Sequence, residues 1–175
     1  MNQGMIHVYC GNGKGKTSIL NGMTLRALGA NLNVKYFRFL KNRATSENAI
    51  MAKIGIEIEN HYHFSTKFIW EMNDEERATF KAETRAGFAK FAAALKSGQY
   101  DVVLADEILG TVENQFITEA ELIDALKNKA PHVEVALSGR KLFPALEKVA
   151  NLISEVNPLK HYFDEGTNAR LGIEY

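Results

Sequence analysis

The stretch GNGKGKTS, residues 11–18, lies directly between a short apolar β-type run and a segment of helical period. The β-type run covers Met5 to Cys10, and the helical pattern covers Lys16 to Leu28. Glycines allow a tight turn in which several backbone N–H groups converge on an anion. The helix that follows adds the positive end of its dipole. The stretch therefore predicts a phosphate-binding loop, or P-loop.

Two side chains of this loop have the chemistry that a nucleotide requires. Lys16 can reach terminal phosphate oxygens, and the Thr17 hydroxyl can ligate magnesium. Lys14 is a weaker candidate, since its position between glycines favours a solvated side chain. Cys10 stands where the usual pattern G-x-x-x-x-G-K-[ST] has its first glycine, and we expect a small core residue there rather than a reactive thiol. The alternative, a Gly/Lys-rich turn without a ligand, fits the strand–helix context less well.

A second signal follows the apolar run Val102–Ala105, which is typical of a strand buried on both faces. Asp106 and Glu107 come next, and a carboxylate at the end of such a strand can hold magnesium directly or through water. Ligands of parallel sheets bind at the carboxyl ends of the strands, where both motifs fall. The alternative is a helix-capping Asp106 with a solvent-facing Glu107. Pairing with the P-loop favours the metal site.

Apolar β-type runs alternate with helical patterns along the chain, which is typical of βα units around a parallel sheet. We therefore predict one α/β domain over residues 1–175, a three-layer P-loop NTPase-like (RecA-like) fold with a mostly parallel sheet flanked by helices. Further strands are predicted at Val34–Leu40, Ile56–Ile58 and Val133–Leu137. Further helices are predicted at Asp74–Leu95, Glu119–Lys127 and Phe143–Val149.

Composition narrows the classes of function. Lys+Arg and Asp+Glu are both 21, so no net field attracts nucleic acid or a membrane, and any anion site must be local. The single cysteine excludes an intramolecular disulfide and a cysteine-only metal cage. No apolar run reaches transmembrane length, and the start MNQGMIHVYC lacks the features of a signal peptide. We expect a cytoplasmic protein.

Short motifs over nearly the whole chain occur in an order that resembles the P-loop type of ATP:corrinoid (cob(I)alamin) adenosyltransferase. Its phosphate loop is similar to GNGKGKT, and its aromatic element GF-x-W is similar to Lys67-Phe68-Ile69-Trp70. The other matching motifs are LRALG at 25–29, the second strand at 36–40, SGR at 138–140, SEV at 154–156, KHYFDEG at 160–166 and LGIEY at 171–175.

The resemblance implies an enzyme of adenosylcobalamin formation that transfers the 5'-deoxyadenosyl group of ATP to the Co(I) of a corrinoid and releases triphosphate. It implies ATP as co-substrate, Mg²⁺ as cofactor, and Lys16 and Glu107 as catalytic residues. The expected metal ligands are Thr17, Asp106 and Glu107. The expected ATP-binding residues are Gly11, Asn12, Gly13, Lys14, Gly15, Lys16, Thr17, Ser18 and Arg140.

The resemblance also implies corrinoid contacts by Phe68, Trp70, Lys160 and His161. The aromatic pair would exclude water and other axial ligands from one face of cobalt, which makes Co(II) easier to reduce. The competing interpretation is that both aromatics are core residues. His61 and His63, two apart, could share one strand face and bind a metal, but we expect them to be loop or surface residues.

Family members are usually homodimers and can take electrons from a flavoprotein, and no nucleic acid or membrane partner is expected. In three respects the sequence departs from the family pattern, and all three concern the corrinoid side: the first strand begins almost at once without the usual extension, Lys67 replaces a glycine, and the Asn42–Asn48 loop lacks glycines.

Two alternative functions stay open. One is a non-catalytic corrinoid- or nucleotide-binding homologue, and the other is a P-loop ATPase or kinase that yields ADP.

Overall fold

A six-stranded parallel sheet forms the centre of the protein. The computed structural model describes residues 3–41, 45–60, 67 and 69–175. Every neighbouring pair of strands is parallel, and the spatial order is β3-β2-β4-β5-β1-β6. The strands are β1 Ile6–Cys10, β2 Val34–Arg38, β3 Ile58–Asn60, β4 Val102–Asp106, β5 Glu134–Ser138 and β6 Leu152–Glu155.

Helices connect the strands, as parallel pairing requires. They are α1 Lys16–Gly29, α2 Ser46–Lys53, α3 Asp74–Ser97, α4 Ile108–Glu113, α5 Glu119–Lys127 and α6 Pro144–Val149, with short 3₁₀ helices at Ile69–Glu71 and Tyr162–Glu165. The longest, α3, begins with a capping box in which the Asn73 side chain accepts from the Glu76 N–H. It ends at Gly98, whose φ of 66° suits a helix stop.

Both faces of the sheet are covered by apolar packing. On β2, Tyr36 belongs to the core cluster that contains Leu20 of α1, while its neighbour Phe37 belongs to the cluster that contains Phe91 of α3. Alternate residues of a strand point to opposite faces, so the two clusters are separate layers of core. The predicted three-layer α/β fold is therefore confirmed. Within the described residues, no helix is both long enough and apolar enough to span a membrane.

Several predicted boundaries need correction. The third strand is Ile58–Asn60 rather than Ile56–Ile58, and Ile56 instead packs in the core ahead of it. Part of the predicted Asn42–Asn48 loop is helical, since α2 begins at Ser46, and residues 42–44 lie outside the described part. The sequence predicts neither helices α2 and α4 nor strand β6. The α5 bounds were predicted without error.

Candidate active site

The P-loop joins β1 to α1 and packs tightly against the end of β6. The Gly11 N–H donates to the Arg140 carbonyl at 2.8 Å, and the Gly13 N–H donates to the Val156 carbonyl at 2.7 Å. A Cβ at Gly11 or Gly13 would stand 2.5 or 2.7 Å from the same Val156 oxygen. Real Cβ atoms do not approach a backbone oxygen that closely, so both positions need glycine. Cys10 is buried in the core, as predicted, and burial raises the pKa of its thiol.

Lys16 folds back over the loop rather than extending into solvent. Its Nζ donates to the Gly11 carbonyl at 2.7 Å and to the Gly13 carbonyl at 2.8 Å, and only 8% of the residue is exposed. Burial lowers its pKa, which the nearby Glu107 carboxylate partly opposes. The ammonium is thus held at the loop, where a bound phosphate would meet it.

A compact polar cluster links α1 to the end of β4. At its centre are Thr17 and Asp106, which we call the Thr17–Asp106 pair. The Thr17 hydroxyl lies 3.1 and 3.2 Å from the two carboxylate oxygens of Asp106. Ser138, at the end of β5, donates to Asp106 Oδ1 at 2.7 Å. Lys41 donates to Thr17 Oγ1 at 2.7 Å and to Asp106 Oδ2 at 2.8 Å. Three strand ends and the P-loop therefore meet at one carboxylate.

The two carboxyls of this cluster have opposite pKa shifts. Burial disfavours the Asp106 carboxylate, but Lys41, Ser138 and Arg38 outweigh that penalty and hold its pKa below the usual range. Burial and the neighbouring Asp106 charge raise the pKa of Glu107. Asp106 is the last residue of β4 and caps no helix, so the capping interpretation is wrong. Glu107 precedes α4 with a left-handed φ of 59°, and its N–H donates to Ser138 Oγ at 2.8 Å.

The donor set of this cluster fits a hard divalent cation such as Mg²⁺. A hydroxyl and a carboxylate converge on one point, and oxygen ligands are those that Mg²⁺ prefers. The ammonium of Lys41 already lies at that point, 2.7 and 2.8 Å from the two oxygens. In the described part of the chain, no three His, Cys, Asp or Glu side chains form a metal-binding group.

The family is decided by comparison with known proteins. A family model described as ATP:corrinoid adenosyltransferase BtuR/CobO/CobP matches residues 2–175. The chain belongs to this family. It is 32% identical over 174 residues to the Corrinoid adenosyltransferase CobA of Salmonella typhimurium, covering 99% of this chain and 86% of that protein. It is also 32% identical to a Corrinoid adenosyltransferase of Escherichia coli, covering 99% of this chain and 86% of that protein.

A third relative, the Corrinoid adenosyltransferase of Pseudomonas aeruginosa, is 29% identical, covering 99% of this chain and 84% of that protein. Similarity to solved structures is more distant. The genome packaging NTPase B204 from Sulfolobus turreted icosahedral virus 2 is 20% identical with a TM-score of 0.44, covering 89% of this chain and 75% of that one. That likeness is too remote to say anything about function.

Two predicted ATP-binding side chains have other surroundings than the loop motif indicates. Lys14 donates to Glu174 Oε1 at 2.6 Å and to the Tyr162 hydroxyl at 2.7 Å, so it contacts the C-terminal segment and is not merely solvated. Arg140 is exposed, and its charge lowers the pKa values of Lys16 and Glu107, which puts it near both. Asn12 and Ser18 are also exposed.

The family's C-terminal motifs lie against the P-loop. Tyr162 and Glu174 share a hydrogen bond, and both accept from Lys14. Arg170 stacks over the Tyr162 ring, 4.9 Å from its centroid, and bonds the Glu174 carboxylate. Arg170, Lys14 and Tyr162 together hold the pKa of Glu174 below its usual range. The far end of the chain is thus tied to the loop that the sequence assigns to phosphate.

The predicted corrinoid contacts differ in their surroundings, as far as the structure describes them. Trp70 lies on the 3₁₀ helix Ile69–Glu71 and is 78% exposed, so the interpretation of Trp70 as a core residue is wrong. Phe68, His61 and His63 lie outside the described residues. Lys160 pairs with Glu165 at 2.9 Å on the surface, and His161 Nδ1 accepts from the Phe163 N–H at 3.1 Å.

Sequence reasoning missed two charged residues of this candidate site. Lys41 contacts both Thr17 and Asp106, and the fully buried Arg38 has its Nε 3.9 Å from Asp106 Oδ2. Both follow from topology, since β2 and β4 are neighbours and Arg38 pairs in register with Asp106. The sequence signal for Arg38 and Lys41 would have been basic residues near the end of a predicted strand that neighbours the strand ending in Asp106.

Proposed function

We propose that this chain transfers the 5'-deoxyadenosyl group of ATP to the Co(I) of a corrinoid and releases inorganic triphosphate. The observation that carries the proposal is the family match over residues 2–175, in a chain whose P-loop holds Lys16 and brings Thr17 to Asp106 at the end of β4. The named relatives are corrinoid adenosyltransferases. The fold supports a nucleotide site at this edge of the sheet.

The reaction makes the whole triphosphate a leaving group. The cobalt–carbon bond forms as the bond between C5' and its oxygen breaks, and negative charge grows on the departing triphosphate. The Lys16 ammonium can meet that charge, because the Gly11 and Gly13 carbonyls already hold the lysine at the loop, and loop N–H groups other than those of Gly11 and Gly13 can add to it. Arg140 is a further candidate for the nucleotide, given its charge near Lys16.

Thr17, Asp106 and Glu107 would hold the magnesium ion or its water shell. When bound, the ion neutralises charge on the phosphates and orients them. Ser138 fixes Asp106 through Oδ1, so the other carboxylate oxygen, Oδ2, keeps a constant position relative to Thr17. Glu107 lies next to this pair, with its backbone fixed by the same Ser138 hydroxyl.

The corrinoid side of the site is proposed to involve Phe68, Trp70, Lys160 and His161. Trp70 is 78% exposed, so its large apolar ring is accessible to a ligand and can exclude water from one face of cobalt. Its helix neighbour Ile69 packs against the Phe80–Phe116 cluster, and so does Leu40, the residue before Lys41. This shared packing supports a position for Trp70 on the side of the molecule that carries Lys41.

The location, the oligomeric state and the electron donor of this protein are proposed from its family resemblance. A cytoplasmic homodimer fits the exposed apolar side chains of the C-terminal segment, such as Leu171 at 75% and Ile173 at 58% exposure. A flavoprotein is a suitable one-electron donor for Co(II).

The direct test is to incubate the protein with ATP, Mg²⁺ and chemically reduced cobalamin and to follow the visible spectrum for an alkylated cobalt. We expect the adenosylcobalamin spectrum to appear with time. Ligand binding without a spectral change would instead identify a non-catalytic binding homologue.

A further inference from the structure

Lys41 is a charged residue of this site that belongs to neither the P-loop pattern nor the Asp106-Glu107 motif. It lies just after β2, and its ammonium bridges the Thr17 hydroxyl and the Asp106 carboxylate at 2.7 and 2.8 Å. Thr17 donates its one hydroxyl hydrogen to Asp106, so it accepts from Lys41 through an oxygen lone pair. A metal ligated by Thr17 and Asp106 would bind the same two oxygens that the Lys41 ammonium now contacts, and two cations at one place repel each other.

We propose that Lys41 is an internal cation that holds the Thr17–Asp106 pair in its metal-binding arrangement and is displaced when a divalent cation binds there. The proposal rests on the magnesium role given to Thr17 and Asp106 under the proposed function. It does not depend on adenosyl transfer. Lys41 is therefore a positioning residue and a competitor of the ion.

The difference in burial between Arg38 and Lys41 indicates why a metal ion would displace Lys41 rather than Arg38. Arg38 has no exposed side-chain surface, and Thr45, Glu47 and Asn48 hold its guanidinium at 2.8 to 3.0 Å. The Lys41 side chain is 31% exposed, so it can swing into solvent and recover hydration. Asp106 itself is fully buried, and an unpaired buried carboxylate is costly. A cation is needed there whether or not metal is bound.

The test measures Mn²⁺ binding to the full-length, nucleotide-free chain by electron paramagnetic resonance. Lys41→Met should bind Mn²⁺ about 10- to 100-fold more tightly than the wild type, the equivalent of one charge-assisted hydrogen bond. Lys41→Arg, which keeps the charge, should bind like the wild type. Lys90→Met is the matched control, since Lys90 also pairs with one carboxylate at 2.8 Å but lies on the surface. It should bind like the wild type.

Thermal unfolding gives a second readout. Lys41→Met should unfold at a lower temperature than the wild type without metal, and Mn²⁺ should raise its midpoint more than that of the wild type. If Lys41→Met does not fold, Lys41→Gln is used for both measurements. Equal or weaker Mn²⁺ affinity in the variant would overturn the proposal.

A further substitution tests the metal role of Asp106 separately from the displacement of Lys41. Asp106→Asn in the Lys41→Met background should abolish the tight Mn²⁺ binding. If tight binding persists, the ion lies elsewhere, and both the displacement and the metal role of Asp106 are overturned. If Asp106→Asn weakens binding while Lys41→Met changes nothing, only the role of Lys41 fails. Cobalt alkylation by the wild type tests the proposed function separately.

Discussion

Gly13→Ala tests the contact that shapes the P-loop. The added Cβ would stand 2.7 Å from the Val156 oxygen, 2.9 Å from its carbonyl carbon and 3.0 Å from Cγ1. The first two atoms are backbone at the end of β6, so they cannot rotate away. Gly13 is not among the left-handed positions, so the effect is steric rather than conformational. Overpacking costs about 1–3 kcal/mol. The lost Gly13–Val156 hydrogen bond adds about 0.5–1.5 kcal/mol.

The expected loss in the free energy of unfolding is therefore roughly 1.5–4.5 kcal/mol, or about 3–18 °C in the unfolding midpoint for a chain of this size. Differential scanning calorimetry measures it, and ATP titration shows whether the displaced loop still binds nucleotide. Gly22→Ala is the matched control, because a Cβ there meets nothing within 4 Å in the middle of α1. It should stabilise by about 0.5–1 kcal/mol. A Gly13→Ala protein with wild-type midpoint and ATP affinity would refute the steric argument.

Three further substitutions test the site and the fold. Lys16→Ala should lower turnover by orders of magnitude, and unchanged activity would contradict the phosphate assignment. Trp70→Ala should impair reduction of bound Co(II) more than ATP binding, whereas equal losses would argue for a packing role. Arg85 and Thr118 lower the pKa of Glu121 to about 2, so its stabilising contribution is present at neutral pH and is lost as pH falls from about 4.5 towards 2. Thermal melts of Glu121→Gln should therefore lie below the wild type at pH 7 and converge with it in acid.

The long periodic elements could be predicted from sequence because their burial is one-sided and strong. Helix α3 has acidic residues at its start, a glycine stop and core residues such as Phe80 and Phe91 at helical spacing. Strand β6 escaped prediction because all four of its residues are exposed, so it lacks the alternating burial that marks a strand. Its pairing with β1 joins distant parts of the chain and depends on the tertiary structure. Helix α2 buries only Met51, too little to give a clear amphipathic pattern.

The candidate site also has a part that could be predicted from the sequence and a part that could not. The P-loop and Asp106-Glu107 could be found because adjacent residues carry the chemistry. The contacts of Lys41, and those of Lys14 with Tyr162 and Glu174, join residues that are 24 to 160 positions apart. No local pattern encodes such pairs. They depend on strand order and on how the C-terminal segment returns to the loop.

The measurement that tests the central claim most directly is product analysis of the ATP consumed during cobalt alkylation. Phosphorus NMR of the reaction with Mg²⁺, ATP and chemically reduced cobalamin should show inorganic triphosphate in equal amount to adenosylcobalamin, because C5' is the carbon attacked. Formation of ADP and phosphate, with no triphosphate and no alkylated cobalt, would contradict the account and identify a P-loop enzyme of another kind.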